Sequence, residues 1–82
     1  MLKVIDVDYL GEYKLHLIFN NNTNGWVDLQ NILTFPVYAG LKDRQQFMQF
    51  GLVNGTIQWA NGADLAPEYL QTILHTEASK AA

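Results

Sequence analysis

Thr56-Ile57-Gln58-Trp59-Ala60-Asn61-Gly62-Ala63-Asp64-Leu65-Ala66-Pro67-Glu68-Tyr69-Leu70 decides how this chain is read. The run begins as the second arm of a hairpin. Asn54-Gly55 precedes it, between Leu52-Val53 and Thr56-Ile57. Asn-Gly between β-prone residues signals a type I′ turn, because both central residues need positive φ. That register opposes Leu52 to Ile57 and Phe50 to Trp59. Asn61-Gly62 then forms a second turn. Asp64 reads as the N-cap of a helix, and Pro67 fits its first turn, where no intrahelical donor is lost. Glu68 suits the positive end of the helix dipole. Tyr69, Leu70, Ile73 and Leu74 follow at helical spacing, a stripe expected to dock on a sheet. His75 falls near the C-terminal end of that helix, where a cation suits the dipole. From Thr76 the stripe ends. One α+β domain is expected over 1–77, with 78–82 as a frayed tail.

Working outward, Val4 to Leu10 alternates, with Ile5, Val7 and Tyr9 on one face and Asp6 and Asp8 on the other. Tyr13 to Phe19 repeats the pattern, with Leu15 and Leu17 against Lys14 and His16. Taking Leu10-Gly11-Glu12 as the loop pairs Tyr9 with Tyr13, Val7 with Leu15 and Ile5 with Leu17. The wet face then sets Asp8 beside Lys14 and Asp6 beside His16. Asn20 to Gly25 is a polar turn, and Trp26-Val27-Asp28 returns as a third strand to complete an antiparallel meander. Asp28 can cap a short helix carrying Leu29, Ile32 and Leu33, which Phe35-Pro36 stops. After a loop over 37–41, Asp43 can cap a second short helix bearing Phe47 and Met48. The expected fold is therefore a meander sheet, a second hairpin, two short central helices and a C-terminal helix packed on one face.

Composition bounds the function. The hydrophobic fraction of 49% suffices for one compact core in 82 residues. No cysteine is present, so disulfides, thiolate metal ligands and thiol catalysis are excluded. The N-terminus is acidic where a signal peptide is apolar, and no run approaches a membrane span, so a cytoplasmic protein is expected. Formal net charge is −3, and Lys3, Lys14, Lys42, Arg44 and Lys80 are scattered, so direct nucleic-acid binding is not expected.

Each candidate site has a structural reading beside the functional one. Asn61, Gly62 and Asp64 could hold a ligand, but one carboxylate and one amide are too few for a metal, and a turn plus cap accounts for them. Trp59 reads as core, packed on Phe50 with its indole N–H satisfied, against a functional reading in which it lines a pocket or anchors a partner. Trp26 is out of phase with Val27 and so faces water or another subunit. Asp6, Asp8 and His16 share the wet face of the first hairpin, where they could bind a divalent ion or simply be solvated. No serine–histidine–acid pattern, phosphate loop or dinucleotide fingerprint occurs, so no catalytic residue, metal or cofactor is expected.

The motifs resemble those of the bacterial family catalogued as domain of unknown function 2442. They are Phe19 closing a strand, Val27-Asp28-Leu29, Leu41/Asp43/Phe47, and Trp59-x-Asn61-Gly62-x-Asp64-Leu65-x-Pro67-Glu68-x-Leu70. The turn after Phe19 is longer here than the Asp-Gly type usual in the family. The resemblance implies a small α+β fold and no established chemistry. It further implies a link to toxin–antitoxin-type gene pairs and, in some relatives, an appended helix-turn-helix domain, for which 82 residues leave no room. The expected function is a non-catalytic protein-interaction or regulatory module of bacterial origin, the antitoxin-like member of a toxin–antitoxin-type pair, that presents Trp26, Asp6, Asp8 and His16 to a protein partner or to itself. Two other classes stay open. One is the dimerising or sensing half of a DNA-associated regulator. The other is a small-ligand binder, which predicts a polar-lined pocket near Trp59 or Tyr38.

Overall fold

Alternating hydrophobicity carries Val4–Gly11 (β1) and Lys14–Phe19 (β2) into an antiparallel pair, and Asn24–Asp28 (β3) extends it. The structure, a computed structural model, describes residues 1–76; the expected frayed tail at 78–82 lies outside the described residues. After β3 come two 3-10 segments, Gln30–Thr34 and Pro36–Lys42, and a one-turn helix, Arg44–Phe47 (α1). The chain then forms Phe50–Val53 (β4), Thr56–Trp59 (β5), Asp64–Leu65 (β6), Pro67–Thr72 (α2) and His75–Thr76 (β7). One sheet has the order β1-β2-β3-β7 and the other β4-β5-β6. Antiparallel sheets with a few short helical segments place the chain in the α+β class. The expected central helices are mostly 3-10 turns, since Pro36 interrupts them and no long apolar stripe sustains an α-helix.

The first hairpin differs from expectation in register. Its turn is centred on Glu12 and Tyr13, which take φ of 54° and 63° after Gly11 at 95°. Tyr9 therefore pairs with Leu15, Val7 with Leu17 and Asp8 with His16, where Tyr13, Leu15 and Lys14 were expected. A shift of two residues leaves every side chain on its face, so alternation alone does not distinguish the two registers. Tertiary contacts hold Tyr13 in its left-handed conformation. Its ring meets Phe47 edge-on at 5.2 Å, and its hydroxyl donates to the Lys42 carbonyl. A further irregularity between Val4 and Asp6 changes the parity of the strand. Val4 enters the core at 2% exposure while Ile5, expected inside, is 57% exposed.

The second hairpin keeps the expected register, with Phe50 opposite Trp59 and Leu52 opposite Ile57. Asn54 and Gly55 have φ of 53° and 81°, as a type I′ turn requires. The core gathers Leu15, Leu17, Phe19, Val27, Leu41, Phe47, Ile57, Trp59 and Leu70. Trp59 buries its ring against Phe47 and donates its indole N–H to the Phe47 carbonyl at 2.7 Å. The two sheets meet where the Val4 amide donates to the Gly55 carbonyl at 2.9 Å. Lys3 lies so near that a Cβ on Gly55 would sit 2.5 Å from the Lys3 Cβ.

Asp64 is not a helix cap. It belongs to β6 opposite Gln58, and α2 begins after Ala66 with no side-chain cap. The Asn61-Gly62 turn returns the chain onto β5 through the Trp59 amide and the Ala63 carbonyl at 2.8 Å. That return buries Leu65 beside Ile57. Burying a leucine is worth about 1.5–3 kcal/mol, against about 1 kcal/mol for a cap, so the strand wins. Pro67 does open the helix, as expected. His75 is likewise not helical. The helix ends at Thr72, and His75 pairs with Trp26 across β3 and β7.

Candidate functional site

Antiparallel pairing sends directly opposed side chains to the same side of a sheet. Asp8 pairs with His16, His16 with Trp26, and Trp26 with His75, so these four residues form one row across all four strands. The opposite side is the core side, carrying Leu15, Leu17 and Val27. Beside the row, Lys14 opposes Asp28 and Asp6 opposes Ile18. The observed register thus sets which residues meet. Asp8 faces the His16 imidazole, while the Lys14 ammonium sits 4.0 Å from Glu12 and 5.7 Å above the Trp26 ring.

Trp26 is half-buried by its neighbours. The His75 imidazole stacks on it with centroids 4.1 Å apart and planes 14° from parallel. Gly25 makes that stack possible, because a Cβ there would lie 2.2 Å from the His75 carbonyl oxygen. The sheet edge therefore closes over a glycine, and the adjoining tryptophan receives a flat aromatic cover. Of the expected surface residues, Asp8, His16 and Trp26 come together in the row, and Asp6 lies on the same side in a neighbouring pair. His75 was missed because Tyr69, Leu70, Ile73 and Leu74 extend a helical period to its doorstep. The shortness of that period was the available signal. Among the described residues, no group of three or more acidic or histidine side chains has metal-binding geometry.

The motif residues of the Trp59 run are structural in their placement. Trp59 is buried, the Asn61 side chain accepts from the Ala63 amide at 3.0 Å, and Gly62 takes φ of 92°. Pro67 is buried at the start of α2.

A concavity opens beside that run. A cleft of about 380 Å³ lies between the 3-10 segments and the β6–α2 junction, lined by Ile32, Phe35, Tyr38, Asp64, Leu65, Ala66 and Tyr69. Tyr38 bridges it, donating its hydroxyl to the Asp64 backbone carbonyl at 2.9 Å. Burial, with the negative charge of Asp64 and the neighbouring Tyr69, pushes the Tyr38 phenol above its ordinary pKa. Asp64, released from capping, keeps its carboxylate at this cleft.

Two antiparallel sheets, short helical segments, an open polar sheet face and one aromatic cleft define a small α+β protein whose described helices are all too short and polar to cross a membrane. The chain belongs to the family described as protein of unknown function DUF2442, whose model matches residues 4–75. Neither a curated protein nor a solved structure matches it.

Proposed function

We propose that this chain is a non-catalytic protein-interaction module of bacterial origin, the antitoxin-like member of a regulatory pair, acting in the cytoplasm. The observation that carries the reading is the row Asp8–His16–Trp26–His75 on the outer side of the four-stranded sheet. A tryptophan at the centre of a polar surface is the usual anchor of a protein interface. The flanking carboxylates Asp6 and Asp8, on a chain of formal net charge −3, favour a more basic partner and would raise its rate of encounter. A second copy of the chain meeting this surface about a two-fold axis is the self-pairing version. The antitoxin-like role itself rests on the family resemblance.

Co-expression with the product of the neighbouring gene, followed by affinity capture on the tagged chain, tests the reading. Capture by the wild type that is lost in Trp26→Ala, with folding intact by NMR, supports it. Capture of nothing by a chain that light scattering also finds monomeric refutes it, as does capture that Trp26→Ala leaves unchanged.

A further inference from the structure

The cleft between the 3-10 segments and α2 plays no part in the sheet-face reading, and its lining has a definite chemistry. Three aromatic residues, Phe35, Tyr38 and Tyr69, border it together with one carboxylate, Asp64. Phe35 and Tyr69 are 57% and 41% exposed, so both rings are accessible to a guest. Tyr38 is fixed in place by its bond to the Asp64 carbonyl. The Asp64 side chain, by contrast, forms no hydrogen bond or ion pair among the described residues.

No lysine, arginine or histidine lines the cleft, and the negative charge of Asp64 disfavours an anion there. A wholly apolar guest would have to lie against the Asp64 carboxylate with no gain from it. An organic cation satisfies both parts of the lining. Aromatic rings attract ammonium and guanidinium groups through the negative potential of their faces, and a carboxylate adds a charge partner. We propose that this cleft binds an organic cation, an alkylammonium or guanidinium group, held by Asp64 and the rings of Phe35, Tyr38 and Tyr69. The site stands apart from the Trp26 row and does not depend on it.

The test is a titration of the ¹⁵N-labelled full chain with two probes, tetramethylammonium chloride and N-acetyl-arginine amide, against sodium chloride as the control for ionic strength. Shift changes centred on the amides of Phe35, Tyr38, Asp64 and Tyr69 are expected at millimolar probe. Asp64→Asn, which retains the backbone pairing of β6, should weaken the tighter probe by about fivefold. A stronger response to the arginine derivative would mark a partner's side chain as the source, and a stronger response to tetramethylammonium a free quaternary amine; both support a cation site. The proposal is overturned if neither probe moves the cleft amides more than sodium chloride does, or if a folded Asp64→Asn binds as tightly as the wild type. Either failure leaves the capture experiment on Trp26 untouched.

Discussion

Replacing Gly25 with alanine isolates the closing contact of the four-stranded sheet. A Cβ at this position would stand 2.2 Å from the His75 carbonyl oxygen and 2.9 Å from the Thr76 Cα, distances no packed structure sustains. Both neighbours are backbone atoms, so relief requires β7 to move as a unit. β7 has only two residues, and its displacement bounds the cost. Each ladder hydrogen bond lost is worth roughly 0.5–1.5 kcal/mol. The stack of His75 on Trp26 adds roughly 0.5–1.5 kcal/mol. With one such bond and the stack lost, the sum is about 2 kcal/mol, which for a chain of this size lowers Tm by about 8–16 °C. Thermal unfolding followed by circular dichroism measures the loss, and the His75 ring protons, shifted upfield by the indole beneath them, should return toward their free positions. Gly51 is the internal control. It sits in β4, and a Cβ there meets nothing within 4 Å, so Gly51→Ala should stay within about 0.5 kcal/mol of wild type. A Gly25→Ala protein that melts like the Gly51→Ala protein, with its His75 shifts intact, would refute the account of how this edge closes.

Gly55→Ala should cost about 1–3 kcal/mol in urea unfolding, since alanine at φ of 81° is strained and its Cβ would strike the Lys3 side chain; a midpoint equal to wild type would contradict the close approach of the two sheets. Trp59→Phe removes the donor to the Phe47 carbonyl and leaves a gap in the core, so a loss of about 2–4 kcal/mol by chemical denaturation is expected. Tyr38 gives a pH dependence with a definite sign. Its folded pKa is raised, so the unfolded chain gives up that proton first, and the stability it contributes is intact below pH about 10 and falls as pH climbs through the folded value. Alkaline unfolding should be shallower in Tyr38→Phe than in the wild type.

Much of this architecture is legible in the residues, and the exceptions have physical causes. The Asn54-Gly55 hairpin is specified by a local requirement, two positive φ values in a row, and its register follows without tertiary help. The first hairpin lacks such a signal. Its turn places Glu12 and Tyr13 at positive φ, which only the distant contacts of Tyr13 with Phe47 and Lys42 explain. Asp64 looks like a cap because the residues around it suit one. Yet the two-residue β6 that displaces the cap is visible only once Leu65 is set opposite Ile57. The surface row was half legible: Trp26, Asp8 and His16 stand out by parity, whereas His75 joins them through a pairing between segments about fifty residues apart. The residues suggest a pocket only as one near Trp59 or Tyr38, and no sequence rule brings Phe35, Tyr38, Asp64 and Tyr69 together.

The two tryptophans fall one to a sheet, Trp26 on β3 at the outer surface and Trp59 on β5 in the core. Each sheet thereby carries its own optical label without any added dye. Emission from the buried indole lies to the blue of the half-exposed one, and the stacked imidazole of His75 offers a quencher to Trp26 alone. Single-tryptophan variants would therefore report the melting of each sheet separately. Coincident curves would mean that the contact between Val4 and Gly55 welds both sheets into one cooperative unit, while separated curves would make them two foldons sharing a seam.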